Sequence, residues 1–105
     1  MKIIVNLIDK MDDTLEEVEW YATQAYILRT EHKSVADTYI KIADTHIGIY
    51  NALHDRVIEL IEEEHRKGST PPQGMIDLWK YEHEQLIKDF AEAKVMVDEY
   101  KKKFL

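Results

Sequence analysis

Imidazole and carboxylate groups supply most of the chemistry open to this chain of 105 residues with five histidines. It has no cysteine, so disulfides, thiolate ligands and a thiol nucleophile are excluded. Its two serines, Ser34 and Ser69, read as a helix cap and a loop residue rather than as nucleophiles. No Gly-rich phosphate loop and no Gly-x-Ser-x-Gly elbow occurs. What remains is proton transfer or metal ligation by His with Asp or Glu. His46 and His83 fall at positions of an apolar heptad rhythm, where a polar group is costly unless it is hydrogen-bonded. Each is read as a buried histidine satisfied by a carboxylate or a tyrosine. The alternative makes His46 a metal ligand beside Glu17 or Glu19, the carboxylates near its expected level, in a site between helices or across a subunit interface.

The other histidines offer less. His54 is the nearest companion of His83 but is expected on the flank of the seam. His32 falls in a turn. His65 stands near a helix C-terminus, where a positive charge is favourable. Glu-x-x-His, the ligand pattern of di-iron bundles, occurs once, from Glu62 to His65, in a polar last turn outside the expected core. His-Glu-x-x-His is absent. No catalytic residue, cofactor or metal is therefore assigned, and the chain is read as a non-enzyme.

The elements that position these groups are legible from spacing. Ile4, Ile8, Met11, Leu15, Val18, Ala22 and Ala25 step by four and three. Tyr39, Ile42, His46, Ile49 and Leu53 do the same, as do Ile76, Trp79, His83, Leu86, Phe90, Ala93, Val97, Tyr100 and Phe104. Such stripes put one apolar face on each of three helices. The first helix is expected from about Lys2 to Arg29, since Ile4 and Ile8 hold the downstream phase although Ile3, Ile4 and Val5 are β-branched. A turn follows at Thr30–Lys33, then Ser34 as N-cap with Asp37 three residues on. The second helix is expected from Val35 to Lys67, ended by Gly68. Gly68–Gly74, with Pro71 and Pro72, is the expected loop, and the third helix runs from Gln73 to Lys103. Short links fold helices of roughly 40–50 Å back on one another. The fold class is thus all-α: an up-down-up bundle of three long antiparallel helices with coiled-coil-like packing, in one domain over residues 1–105.

Antiparallel turns also imply a register. Residue x of the first helix should face about 64 minus x of the second, and positions paired between the second and third should sum to about 139. His46 then lies level with Val18 and Ala93, and His83 with Ile8 and Arg56 or Val57. The two histidines are roughly 15 Å apart along the axis, too far to share one ion.

The second helix carries another apolar line, Ala36, Ile40, Ala43, Ile47, Tyr50, Val57 and Ile61, so its apolar surface is broad. Gly48 stands on its outer line and costs about 1 kcal/mol against Ala in a helix. It is either unselected or a place where another backbone comes close. The six tyrosines fit core or boundary packing.

The net charge of -7 is spread along the chain, with no basic patch beyond Lys101, Lys102 and Lys103, which suit a helix C-terminus. Nucleic acid is excluded as an expected partner, because phosphate binding needs clustered Lys and Arg. No stretch approaches the ~20 apolar residues of a membrane span, and no signal peptide is visible. A cytoplasmic location in a bacterial host cell is expected.

The tyrosine-alanine segment Tyr21, Ala22 and Ala25, the segments Ser34-Val-Ala-Asp-Thr-Tyr39, Ile42-Ala43 and Leu53-His54-Asp55, and Pro71-Pro72 leading to Trp79-Lys-Tyr-Glu-His83-Glu84, taken together resemble small all-helical, loosely ferritin-like proteins encoded by phages and prophages. The resemblance spans nearly the whole chain. It implies a phage-associated helical protein of unassigned role. Ferritin-like relatives often carry Glu-x-x-His in a core helix; here His46 and Ile49 stand at those places, so the ligands are not carried over. The expectation is a self-associating interaction or accessory protein, a homo-oligomer with a dimer favoured, or one that binds a helical partner. The alternative is a ferritin-like metal-binding protein with a His/carboxylate site between helices or at a dimer interface.

Overall fold

The computed structural model describes residues 2–68 and 73–105, leaving aside the side chains at 73, 75, 76 and 78. It is the expected all-α, up-down-up arrangement: α1 (Lys2–Leu28), α2 (Lys33–Arg66) and α3 (Gln73–Phe104). They form a rod of 56 × 20 × 18 Å. The stretch at 69–72, where the second turn was expected, lies outside the described residues. Gly74 belongs to α3 rather than to a loop.

All seven stripe residues of α1 are buried. The β-branched opening does not turn it into a strand, because Ile4 and Ile8 gain burial only on the helical period. In α2 the two apolar lines exchange roles. Ala36, Ile40, Ala43, Ile47, Tyr50 and Val57 form the buried face. Tyr39, Ile42, His46 and Leu53 are half-buried and Ile49 is exposed, so the line carrying His46 is a flank of the helix and not its core. On α3, Leu86, Ala93, Val97 and Tyr100 are buried, while Trp79, His83, Phe90 and Phe104 are half-buried. Ile76 lies outside the described side chains.

Side-chain size sets the spacing of the helices. The α1–α2 seam carries Ala22, Ala25, Ala36 and Ala43, all fully buried, so these two backbones approach closely along their length. The α2–α3 seam is filled by rings. Tyr50 stacks on Phe90 with centroids 4.6 Å apart, and His54 meets His83. Few Cα atoms of α2 and α3 come within 8 Å of one another. The pairs Asp37–Tyr100, Tyr50–Phe90 and His54–His83 all fall within two residues of the expected register.

The helix ends differ from the local rules in one place. Ser34 does not cap α2, which starts two residues earlier than expected, at Lys33, with His32 at the cap position and no side-chain cap bond. Asp37, expected to complete a capping box, instead accepts from Lys33 Nζ (2.9 Å) and from the Tyr100 hydroxyl (3.0 Å). Lys33 Nζ also donates to the Phe104 carbonyl at 2.9 Å. This clasp ties the start of α2 to the end of α3 and supplies a donor to a carbonyl at a helix terminus. Gly68 ends α2 as expected. Its φ of +76° is open to glycine without strain, and its N–H donates to the His65 carbonyl. The C-terminal lysines act as helix-end charges, with Lys101 also reaching Asp44 of α2 at 2.6 Å.

Candidate functional site

Two grooves flank α2. The first runs along the outer α1–α2 edge, with a volume of about 430 Å³, and is lined by Lys10, Asp13, Thr14, Glu16, Glu17, His46 and Ile49. His46 is half-buried there, its Nδ1 2.9 Å from the Ile42 carbonyl of its own helix, to which it donates. Its ring lies 5.8 Å from that of Tyr21. The expectation of a core histidine is corrected: stepping down the flank line of α2 rotates it away from α3. Glu17 does share its groove, at the level the register gave. Glu19 does not. It sits on the α3 side of α1, where burial first, and then Asp89, Glu92, Glu16 and Asp12, push its carboxyl above the ordinary value. Two residues on a helix differ by about 200° in direction, which separates Glu17 from Glu19. Among the described residues, no three His, Asp or Glu side chains are grouped so as to hold a metal ion.

The groove opens onto a face rich in rings. Trp20 lies 5.0 Å from Tyr21 and 5.7 Å from Tyr39, and Tyr21 lies 5.3 Å from Tyr39, centroid to centroid. Trp20 is 50% exposed, Ile49 43% and Val35 40%. Following the helical steps, this face comprises Trp20, Tyr21, Gln24 and Leu28 on α1 with Val35, Thr38, Tyr39, Ile42, Thr45, His46 and Ile49 on α2. These positions carry no Asp, Glu, Lys or Arg, in a chain where such residues make up 33%, but at the His46–Ile49 end they are bordered by Lys10, Asp13, Glu16 and Glu17 of α1. Thr38 and Thr45 turn their hydroxyls inward, donating to the carbonyls of Ser34 (2.9 Å) and Lys41 (3.0 Å). The face therefore offers rings and aliphatic groups with little unmet polarity. Its charge-free run was written in the sequence at steps of three and four, but only the seating of α1 on α2 joins the two halves.

The second groove, about 390 Å³, lies on the α2–α3 edge and is lined by Tyr50, Asn51, His54, His83, Ile87 and Phe90. Here the register reading holds: His54 is the partner of His83, with 3.2 Å between their Nε2 atoms. Trp79 stacks on His83 at 4.6 Å. Burial, and then His54, hold His83 below the ordinary histidine range. His32 and His65 are exposed, as expected. Tyr50 and Tyr100 are core residues and Tyr21, Tyr26 and Tyr39 are boundary residues; Tyr81 is exposed, against the packing role expected for it. No helix among the described residues is long and apolar enough to cross a membrane.

No protein-family model matches the chain, and neither does any curated protein or solved structure.

Proposed function

We propose that this chain is a non-enzymatic interaction module that pairs with a second copy of itself through the outer α1–α2 face. The observation that carries the proposal is the Trp20-Tyr21-Tyr39 ring cluster with half-exposed Trp20 and Val35, on a stretch of the face whose charged residues, Lys10, Asp13, Glu16 and Glu17, are gathered at the His46–Ile49 end. Interface centres lose charged residues and gain Trp, Tyr and large aliphatics. A two-fold pairing needs a patch complementary to itself, and an apolar patch meets that condition without matched charges. The occupant would add two helices to α1 and α2, giving a four-helix core with an α3 on each side. An accessory role in phages or prophages, in the bacterial cytoplasm, is supported by the resemblance that includes the Ser34–Tyr39 and Trp79–Glu84 segments.

The solution mass tests this reading. Sedimentation equilibrium should give twice the chain mass, and Trp20→Glu or Ile49→Glu should return the monomer with helicity unchanged by circular dichroism. A monomeric parent chain at 100 μM would sink the proposal. Metal content on the same sample discriminates the alternative: one ion per chain, or one per two chains, would point to His46 and Glu17 instead, with stability that depends on the metal.

A further inference from the structure

The α2–α3 seam contains a polar contact whose integrity depends on its proton count. His54 and His83 approach through Nε2 at 3.2 Å while their ring centres stand 5.3 Å apart and their planes differ by 18°. With the nitrogens much closer than the centres and the planes nearly parallel, the rings meet edge to edge. One Nε2–H donates to the lone pair of the other Nε2. A first added proton can sit on an outer Nδ1 and leave this bond intact. A second must occupy the remaining Nε2, so that two N–H groups and two cations face each other at hydrogen-bond distance. That state cannot keep the contact.

The surroundings do little to relieve it. From α2, Asp55 reaches His54 Nδ1 at 3.7 Å but is exposed, and Arg56 is paired with Glu59. From α3, Glu84 favours the charged form of His83, but less than burial and His54 oppose it, and Glu82 is half-buried nearby in sequence. At this level α1 presents buried Ile8 and Met11, and its carboxylates Asp9 and Asp12 are exposed. The packing is also thin here. From Trp79 to Phe90, Leu86 is the one fully buried side chain among those described, whereas Ala93, Val97 and Tyr100 secure the other half of α3.

We propose that His54 and His83 form an acid-released latch, whose second proton parts α3 from α2 between Trp79 and Phe90 while the α1–α2 pair and the C-terminal half of α3 stay docked. The sign follows from linkage. Parted histidines take up protons near 6.5, and the closed pair resists the second one. The closed form is therefore fully favoured above about pH 6.5, and below it the closed-to-open ratio falls about tenfold per pH unit until the depressed value is reached. The latch lies on the other flank of α2 from the aromatic face, so it stands whether or not the chain pairs.

Hydrogen exchange with mass spectrometry, at pH 7.5 and 5.0, corrected for intrinsic rates and run where the solution mass is the same at both, tests the latch. Expected is a severalfold loss of protection at pH 5.0 confined to residues 79–90. His83→Phe and His54→Phe, which keep a ring in the stack, should abolish that response. Nuclear magnetic resonance of the unaltered protein gives a readout free of any variant: the pair should titrate in two steps, the lower below 6.5. Two independent steps near 6.5, equal protection at both pH values, or an unchanged acid response in His83→Phe would each overturn the proposal.

Discussion

Tyr100 carries more of this fold than its place in a heptad suggests. Burial first, and then the Asp37 carboxylate, push its phenol up to about 12, and burial with Asp89 does the same for Tyr50. Unfolded tyrosines ionise near 10. Between pH 10 and 12 the folded chain holds protons that the unfolded chain releases, so stability should fall as pH rises through that window. Urea midpoints at pH 9, 10.5 and 11.5 would show the decline. Tyr100→Phe should cost about 1 kcal/mol, the typical value of one net hydrogen bond, and flatten part of the alkaline loss. Asp37 is held below the ordinary carboxylate range, first by Lys33 and then with help from Tyr100, so the same variant should raise its titration midpoint, as seen by carboxyl NMR shifts. The sequence showed Asp37 three residues after Ser34, which is the spacing of a capping box, and that local rule pointed the wrong way. A lysine one turn earlier and a tyrosine 63 residues later outcompete the cap, and only the tertiary register brings them there. His54 and His83 were legible for the opposite reason: two short antiparallel links fix the register by counting.

At the scale of the element, α2 shows how far periodicity carries. Two apolar lines were visible on it, and each has helical spacing. Periodicity alone cannot rank them, because a flank and a core face share the same period. The alanines decide: Ala36 and Ala43 allow α1 to come close, and the line containing them is the buried one. Ala43→Leu should therefore cost about 1–3 kcal/mol by overpacking, even though Leu is a good helix former. Ile42→Leu, on the flank, should be nearly neutral. Gly48 behaves differently from either. A Cβ built on it meets nothing within 4 Å, and its φ is not positive. Gly48→Ala should raise stability by about 1 kcal/mol, read from urea unfolding. Gly68→Ala should lower stability by roughly 1–2 kcal/mol, since its φ of +76° is strained for any residue with a Cβ.

For the whole molecule, the decisive feature is that the seams α2 makes with its two neighbours are unlike. Small residues zip α1 to α2 along the rod, while rings and a histidine pair prop α3 away from α2. The three-helix architecture followed from stripe spacing and link length, because both are local properties of the chain. The outer aromatic face did not, since its halves lie on different helices and meet only when α1 seats on α2. The same asymmetry has a kinetic consequence. The closely packed pair is also the first to leave the ribosome, and its helices are joined by a four-residue link, so its contacts close the shorter loops. The α1–α2 hairpin should nucleate folding, with α3 docking afterwards onto a preformed surface. In stopped-flow measurements, Ala25→Gly should then mainly slow refolding, and Leu86→Ala should mainly hasten unfolding. If so, this chain is synthesised in the order in which it folds, and its late-arriving third helix is also the one it can most readily release.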